Sequence, residues 1–285
     1  MITLITGVGG QVGRALVACA PGDVTVHALD RAALDLADPR AIAETVKRLS
    51  PDVIFNAAAY TAVDKAESEA DIARAINVDA VAALANAAQT VGAQLVHIST
   101  DFVFDGSGGT PYPPDAMTSP LGVYGTTKRA GELAAGPDAL IVRTAWVYAS
   151  QGANFVKTML RLMAERDEVR VVADQIGTPT WASSLAQALW QLHDLGARGI
   201  YHYTDSGVAS WYDFALAIQE ESVACGLLTR AVPIIPITTA DFPTPARRPS
   251  CGVLDKQATT ALLGRAAPHW RVNLRHMLGE LLTHG

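Results

Sequence analysis

The stretch Ile2-Thr3-Leu4-Ile5-Thr6-Gly7-Val8-Gly9-Gly10-Gln11-Val12-Gly13 decides the fold. A short apolar run ends in glycines, and residues 10–19 then read as a helix. The spacing fits both Gly7-x-Gly9-x-x-x-Gly13 and Gly7-x-x-Gly10-x-x-Gly13. Such glycines let the chain turn tightly, let a phosphate approach the backbone and let the helix pack close to the sheet. The free N–H groups of the helix start then suit a pyrophosphate. Alone, the pattern is equally compatible with a bare strand–helix turn. Its context favours a dinucleotide, because it follows a first strand and opens a helix, and Asp30 ends a second strand over 24–29. An acid there bonds ribose hydroxyls and favours NAD. The adjacent Arg31 either meets a 2′-phosphate or is a solvated surface charge, so NADH versus NADPH stays open.

Outward from this turn, strands and helices alternate. Strands are expected over 52–57, 94–99 and 139–147, and helices over 39–49, 72–91 and 123–134. Asp38 is placed as the N-cap of the helix over 39–49, with Pro39 at its first position. This rhythm predicts an α/β fold with a Rossmann-type doubly wound parallel sheet and right-handed crossovers. After Val147 the rhythm changes. Helices are expected over 154–164, 183–195 and 211–221, with short strands near 170 and over 199–203 and a proline-rich tail beyond. Residues 1–147 are therefore read as a dinucleotide-binding domain to which 181–204 returns. Residues 148–180 and 205–285 are read as a smaller C-terminal substrate-binding lobe, with a cleft between the two.

Composition narrows the function classes. Hydrophobic residues make up 49% of the 285 and charged residues 18%, as in ordinary soluble globular proteins. The balance of 22 Lys and Arg against 28 Asp and Glu gives −6, which argues against nucleic acid or an anionic membrane as the main partner. Cys19, Cys225 and Cys251 show neither metal spacing nor a disulfide framework, so a reducing cytoplasm is expected. The start of the chain lacks a signal-peptide pattern, and no segment has the apolar run a membrane span needs. His27, His97, His193, His202, His269, His276 and His284 form no ligand spacing, and no catalytic metal is expected.

Three residues carry the chemistry. Thr100 ends the apolar run Leu95-Val96-His97-Ile98-Ser99, and Tyr124-Gly125-Thr126-Thr127-Lys128 puts a phenol and an amine on one helix face. Tyrosine ionises near pH ~10 when unperturbed. A lysine cation one turn away is expected to lower that value and make Tyr124 a better proton donor. Thr100 would orient the carbonyl oxygen that receives the proton, and Lys128 would also reach cofactor ribose hydroxyls. A Tyr-x-x-x-Lys pair alone is common by chance; a hydroxyl-ended strand and the glycine turn upstream make it a candidate reductase site. Asp35 and Leu36 are expected at the adenine end, and Ala57, Ala58 and Ala59 offer small side chains where a flat cofactor passes. The polar stretch over 105–122 is long for a connection and is read as functional.

The set resembles the extended short-chain dehydrogenase/reductase superfamily. Longer strings resemble one family within it, the dTDP-4-dehydrorhamnose reductases. They are Asn56-Ala57-Ala58-Ala59-Tyr60-Thr61-Ala62-Val63-Asp64-Lys65-Ala66-Glu67, Ser99-Thr100-Asp101-Phe102-Val103-Phe104-Asp105-Gly106, Arg143-Thr144-Ala145-Trp146-Val147-Tyr148, Asp174-Gln175-Ile176-Gly177-Thr178-Pro179-Thr180, Ser210-Trp211-Tyr212-Asp213-Phe214-Ala215 and Arg247-Arg248-Pro249. The resemblance runs from Ile2 to about Leu281. It implies reduction of the 4-keto group of dTDP-4-dehydro-L-rhamnose to dTDP-L-rhamnose with NADPH or NADH. It implies Thr100, Tyr124 and Lys128 as the catalytic triad. It implies that Gly10, Gln11 and Val12, within the turn that the spacing of Gly7 and Gly13 marks, hold the pyrophosphate, and that Asp30, Asp35 and Leu36 contact the adenosine, with Arg31 next to Asp30. Ala57 to Thr61, including Tyr60, would flank the nicotinamide side, and Thr100, Asp101, Tyr124, Trp146 and Val63 would face the sugar. One of Arg247 and Arg248 would clamp the substrate pyrophosphate, and Arg247 is assigned to it.

There are departures from the family pattern. Tyr60 stands where histidine is frequent, and Ser250-Cys251-Gly252 replaces an aromatic or amide followed by serine. Some members form a homodimer through acidic residues and magnesium. Arg14-Ala15 stands where an acid would be wanted, so no magnesium site is assigned and a homodimer stays open. Two alternatives are kept: another nucleotide-sugar epimerase or dehydratase of the superfamily, and a non-catalytic regulatory homologue.

Overall fold

The computed structural model describes residues 1–284; Gly285 and the side chain of His284 lie outside the described residues. Its centre is a six-stranded sheet. The first five strands in chain order are β1 (Ile2–Thr6), β2 (Thr25–Leu29), β3 (Val53–Asn56), β4 (Gln94–Thr100) and β5 (Leu140–Thr144). The sixth is Gly199–His202, which lies at the edge beside β5. The spatial order from that edge is Gly199–His202, β5, β4, β3, β1, β2, and every neighbouring pair is parallel. A parallel sheet covered on both faces needs apolar residues on both, which explains why Leu4, Ile5, Ile54, Phe55, Val96 and Val142 are all fully buried.

One face carries the helices Gln11–Ala18 and Ala182–Asp194, where Leu16, Leu185, Leu189 and Trp190 pack on Phe55 and Val96. Trp190 Nε1 donates to Leu16 O at 3.1 Å, fastening the later helix to the first. The other face carries Pro39–Leu49, Ala80–Val91 and Val123–Ala135, with Ile42, Val46 and Leu84 in its core. Asp38 caps the first of these by accepting from Arg40 N at 2.9 Å and Ala41 N at 3.2 Å, with Pro39 following. A separate core lies beyond the sheet, built from Tyr148, Val156, Met159, Phe214, Ile218, Leu274 and Met277. No helix of the described residues is long and apolar enough to cross a membrane.

Three details differ from the sequence expectation. The helix expected over 72–91 is interrupted by a π-helical turn at Ala75–Asp79, which swings Asn77 inward to 1% exposure. There Asn77 accepts from Tyr60 N at 2.8 Å and donates to Thr127 Oγ1 at 3.1 Å, so the wide turn is anchored by polar contacts that periodicity does not reveal. The strand expected over 139–147 stops at Thr144. Trp146 takes a left-handed φ of 48°, and Val147–Tyr148 leaves the sheet to pair with Thr180–Trp181. The proline-rich tail, to which the sequence assigned no strand or helix, carries both: Ile234–Ile237 pairs in parallel with Val169–Val172, and the helices Gln257–Leu263 and Trp270–His284 follow.

Chain order reverses between β1 and β3, because β1 leads to β2 on one side and the chain then crosses to β3 on the other. In open parallel sheets that reversal leaves a crevice at the carboxyl ends of the strands, where ligands bind. The glycine turn, the loop after β3 and Thr100 all lie at those ends.

Candidate active site

A cavity of about 1330 Å³ occupies this crevice. Its wall includes Gly7, Gly10, Gln11, Val12, Asp30, Arg31, Asp35, Leu36, Ala57, Ala58, Ala59, Tyr60 and Thr61. Val63, Thr100, Asp101, Tyr124, Lys128 and Trp146 line the same cavity. Two of the residues singled out from sequence are not on that wall. Gly13 sits behind it, packed on the backbone of Gly7, and Arg247 is exposed. Arg248, its neighbour, lines the cavity instead and pairs with Asp64 at 2.8 Å.

The glycine turn is built by its backbone. Gly10 N donates to Gly7 O at 2.9 Å, and a Cβ at Gly13 would lie 2.3 Å from that same carbonyl oxygen. Any side chain at Gly13 would therefore open the turn. No side chain caps the helix Gln11–Ala18, so its first N–H groups are available to an anion at the cavity wall. The Gln11 side chain donates to Val147 O at 3.4 Å and accepts from Asn154 Nδ2 at 3.0 Å, tying the turn to the segment beyond β5. At the end of β2, Asp30 Oδ1 accepts from Ala32 N and Ala33 N at 3.0 and 2.9 Å. Leu34 and Leu36 are buried beneath that turn. These features fit a dinucleotide: a bare backbone cradle, an acid at the end of the second strand and a crevice long enough to join them to Thr100.

The other end is made of side chains. Thr100 closes β4 and donates from Oγ1 to Asp101 Oδ1 at 3.0 Å, while Phe102 N donates to the same Oγ1 at 3.2 Å. Tyr124 is half-buried in the first turn of Val123–Ala135, edge-on to Phe102 with ring centroids 5.4 Å apart. A Cβ at Gly125 would fall 2.2 Å from Phe102 O, so glycine is what lets this helix approach the end of β4. Lys128 is 2% exposed, and its Nζ donates to Ile98 O at 2.7 Å. One turn later Glu132 accepts from Ser99 Oγ at 2.6 Å and from Arg143 Nε and Nη2 at 2.7 and 2.8 Å. This buried two-pronged ion pair fixes the helix to β4 and β5. Removing one partner of such a pair typically destabilises by about 3–5 kcal/mol.

Burial dominates the electrostatics. It pushes the Tyr124 phenol up to about 12, against the lowering effect of a hydrogen bond with Thr100. It raises the Asp101 carboxyl to about 7 and lowers the Lys128 amine to about 8, with Glu132 opposing the latter. The sequence expectation was a phenol lowered by its lysine. The structure differs because Lys128 turns toward Ile98 and the sheet, leaving desolvation as the largest influence on Tyr124. At neutral pH Tyr124 is therefore a neutral phenol that holds its proton.

Trp146 stacks on Trp211 with ring centroids 3.5 Å apart at 8°, and both line the cavity. Trp211 was not singled out as a site residue, nor were Glu69, Ile72, Ile76 or Thr144, which also line it. In the sequence Trp211 stood out only within the string over 210–215, and its pairing with Trp146 joins segments too far apart in the chain for spacing to reveal.

The family model described as "RmlD substrate binding domain" matches residues 1–283. A dTDP-4-dehydrorhamnose reductase of Shigella flexneri is 43% identical, with 99% of each chain covered. A crystal structure of a dTDP-4-dehydrorhamnose reductase from Clostridium acetobutylicum superposes with a TM-score of 0.93 at 39% identity, covering 99% of this chain and 100% of that one. The enzyme of the same name from Bacillus anthracis, solved in complex with NADP, superposes with a TM-score of 0.91 at 35% identity, covering 98% and 99%. With this fold, this crevice and relatives matched along their whole length, the chain belongs to the dTDP-4-dehydrorhamnose reductase family.

Proposed function

We propose that this protein reduces the 4-keto group of dTDP-4-dehydro-L-rhamnose to give dTDP-L-rhamnose, using NADPH or NADH. The observation that carries this reading is the meeting of two separate constructions in one crevice. The glycine cradle and the trio Thr100, Tyr124 and Lys128 line the same cavity. A bound dihydronicotinamide cofactor supplies the hydride. Gly7, Gly10, Gln11 and Val12 would hold its pyrophosphate, and Gly13 keeps that turn closed. Asp30 would offer its second carboxylate oxygen to a ribose hydroxyl, Arg31 and Asp35 would flank the adenosine, and Leu36 would support it. Ala57 to Thr61, including Tyr60, would line the path toward the nicotinamide.

Tyr124 would deliver its proton to the ketone oxygen, and Thr100 would orient that oxygen by hydrogen bonding. Lys128 would bind ribose hydroxyls and balance the charge left on the phenolate. Asp101, Trp146 and Val63 would face the sugar. Arg248, rather than Arg247, is the better candidate for the substrate pyrophosphate, because it reaches the wall. Residues 1–147 with 181–204 would hold the cofactor, and 148–180 with 205–285 the nucleotide sugar. A cytoplasmic enzyme, with a homodimer as one possible assembly, fits this reading. The test is an assay of NADH and NADPH oxidation with dTDP-4-dehydro-L-rhamnose and identification of the product. Formation of dTDP-L-rhamnose is expected, and no oxidation of either cofactor would defeat the proposal.

A further inference from the structure

A buried chain of polar contacts runs beneath the crevice. Thr6 Oγ1 donates to Asn56 Oδ1 at 2.8 Å, Asn56 Nδ2 lies 3.1 Å from His97 Nδ1, and His97 Nε2 lies 3.3 Å from Lys128 Nζ. It crosses the ends of β1 and β3 and the middle of β4, and its members are 1%, 1%, 0% and 2% exposed in that order.

The polarity of the chain follows from one backbone contact. Ala58 N–H donates to Asn56 Oδ1 at 3.3 Å, so the amide oxygen faces Ala58 and Thr6. The amide nitrogen, which only donates, therefore faces His97, and Nδ1 of the ring must accept. Burial and the nearby lysine hold His97 well below the usual histidine range, so the ring is neutral and carries one proton. That proton is left on Nε2, facing the lysine amine. A neutral amine can accept it; an ammonium has no lone pair to do so.

We infer that Asn56 and His97 are positioning residues for Lys128, Asn56 locking the imidazole with its proton on Nε2 and that N–H in turn setting how readily the amine takes up its third proton and where it points. Once protonated, the amine keeps Ile98 O as a partner, is repelled on the His97 side and directs its remaining hydrogens to the open crevice. Of the other ionisable groups, Tyr124 and Glu132 share its helix and Asp101 follows β4. Arg129 and Arg143 act on it through Glu132. The functional meaning of this inference rests on the role proposed above for Lys128.

Asn56→Asp reverses the polarity. A carboxylate accepts from Thr6, Ala58 and a Nδ1–H, which strips the proton from Nε2 and makes it an acceptor for the ammonium. The experiment is NMR of the full chain labelled with 15N-histidine and 13C-lysine, read as the His97 tautomer and the Lys128 titration. Wild type is expected to carry Nε2–H. Asn56→Asp is expected to carry Nδ1–H and to titrate Lys128 higher by about one unit, with the basic limb of the kcat profile moving alike. A wild-type Nδ1–H overturns the inference, with or without a folded variant. So does a tautomer swap with Lys128 unmoved, or a Lys128 shift without the swap. Failure to turn over the ketosugar would count against the proposed reaction instead, since neither NMR readout needs substrate.

Discussion

The two ends of the crevice are made of different materials. At the glycine end the contacts offered are main-chain N–H groups, and Gly9, Gly10, Asp30, Arg31 and Asp35 are exposed. At the other end Thr100, Asp101 and Lys128 are only 6%, 4% and 2% exposed. Peptide dipoles keep their sign at any pH, so the first end can hold a permanent anion without depending on a proton. At the second end desolvation moves Tyr124, Asp101 and Lys128 away from their ordinary values, each toward its neutral form. Under the proposed function, recognition of constant charge falls to backbone, and proton handling to side chains withdrawn from water.

The largest effect that would break this contrast is expected from Tyr124→Phe. Loss of a general acid typically lowers turnover by about 10²–10⁴-fold. Cofactor affinity, measured by fluorescence titration, should be nearly unchanged, because the glycine end is untouched. Turnover within a few-fold of wild type would remove Tyr124 as the proton donor.

Next in size is a pair at the glycine end. Gly13→Ala puts a methyl 2.3 Å from Gly7 O, so the turn must open. Overpacking of this kind destabilises by about 1–3 kcal/mol, and both a lower Tm and a raised cofactor KM are expected. Gly9→Ala meets no heavy atom within 4 Å, so its Tm should equal wild type. Any rise in cofactor KM for Gly9→Ala would then report a ligand approaching the backbone there. A Gly13→Ala enzyme with unchanged cofactor KM would separate the turn from cofactor binding.

A smaller effect distinguishes the two arginines. Arg248 lines the cavity beside Asp64 while Arg247 is exposed. Charge-assisted hydrogen bonds contribute about 1.5–3 kcal/mol, so Arg248→Ala should raise substrate KM by roughly tenfold or more. Arg247→Ala should leave it almost unchanged. The reverse ranking would return the clamp to Arg247.

The same two materials explain what was legible in the sequence. The glycine turn, Asp30 and the apolar strands could be read because their constraints are local: a turn that excludes side chains, a cap, a run of β-branched residues. Thr100, Tyr124 and Lys128 could be read as a set because their spacing is local on a strand end and one helix. The π-turn at Asn77 could not, since its partners Tyr60 and Thr127 come from other segments. Nor could the break at Trp146, whose left-handed backbone accompanies stacking on Trp211 far along the chain. Preferring Arg248 to Arg247 in the proposed function needed the course of the cavity wall, again a long-range fact. The direction of the Tyr124 shift was misjudged for a related reason: spacing gives the distance to a charge but not the burial that outweighs it.

Asp101 offers the sharpest test of that last point. Its carboxyl rises from the ordinary value of 3.8 to about 7 on folding, with burial as the main cause. Folded protein therefore binds more protons than unfolded protein between those values. By linkage, the contribution of this group to stability is complete below the unfolded value and is lost as pH rises toward about 7. Asp101→Asn cannot ionise, so the variant should lose less stability than wild type between pH ~4 and ~7, a difference measurable as Tm against pH. Above that window the two curves should run parallel as far as this group is concerned. If Tm falls equally in both proteins across the window, Asp101 is solvated when folded, and the side-chain end of the crevice is wetter than its geometry implies. The contrast between the two ends would then rest on Tyr124 and Lys128 alone.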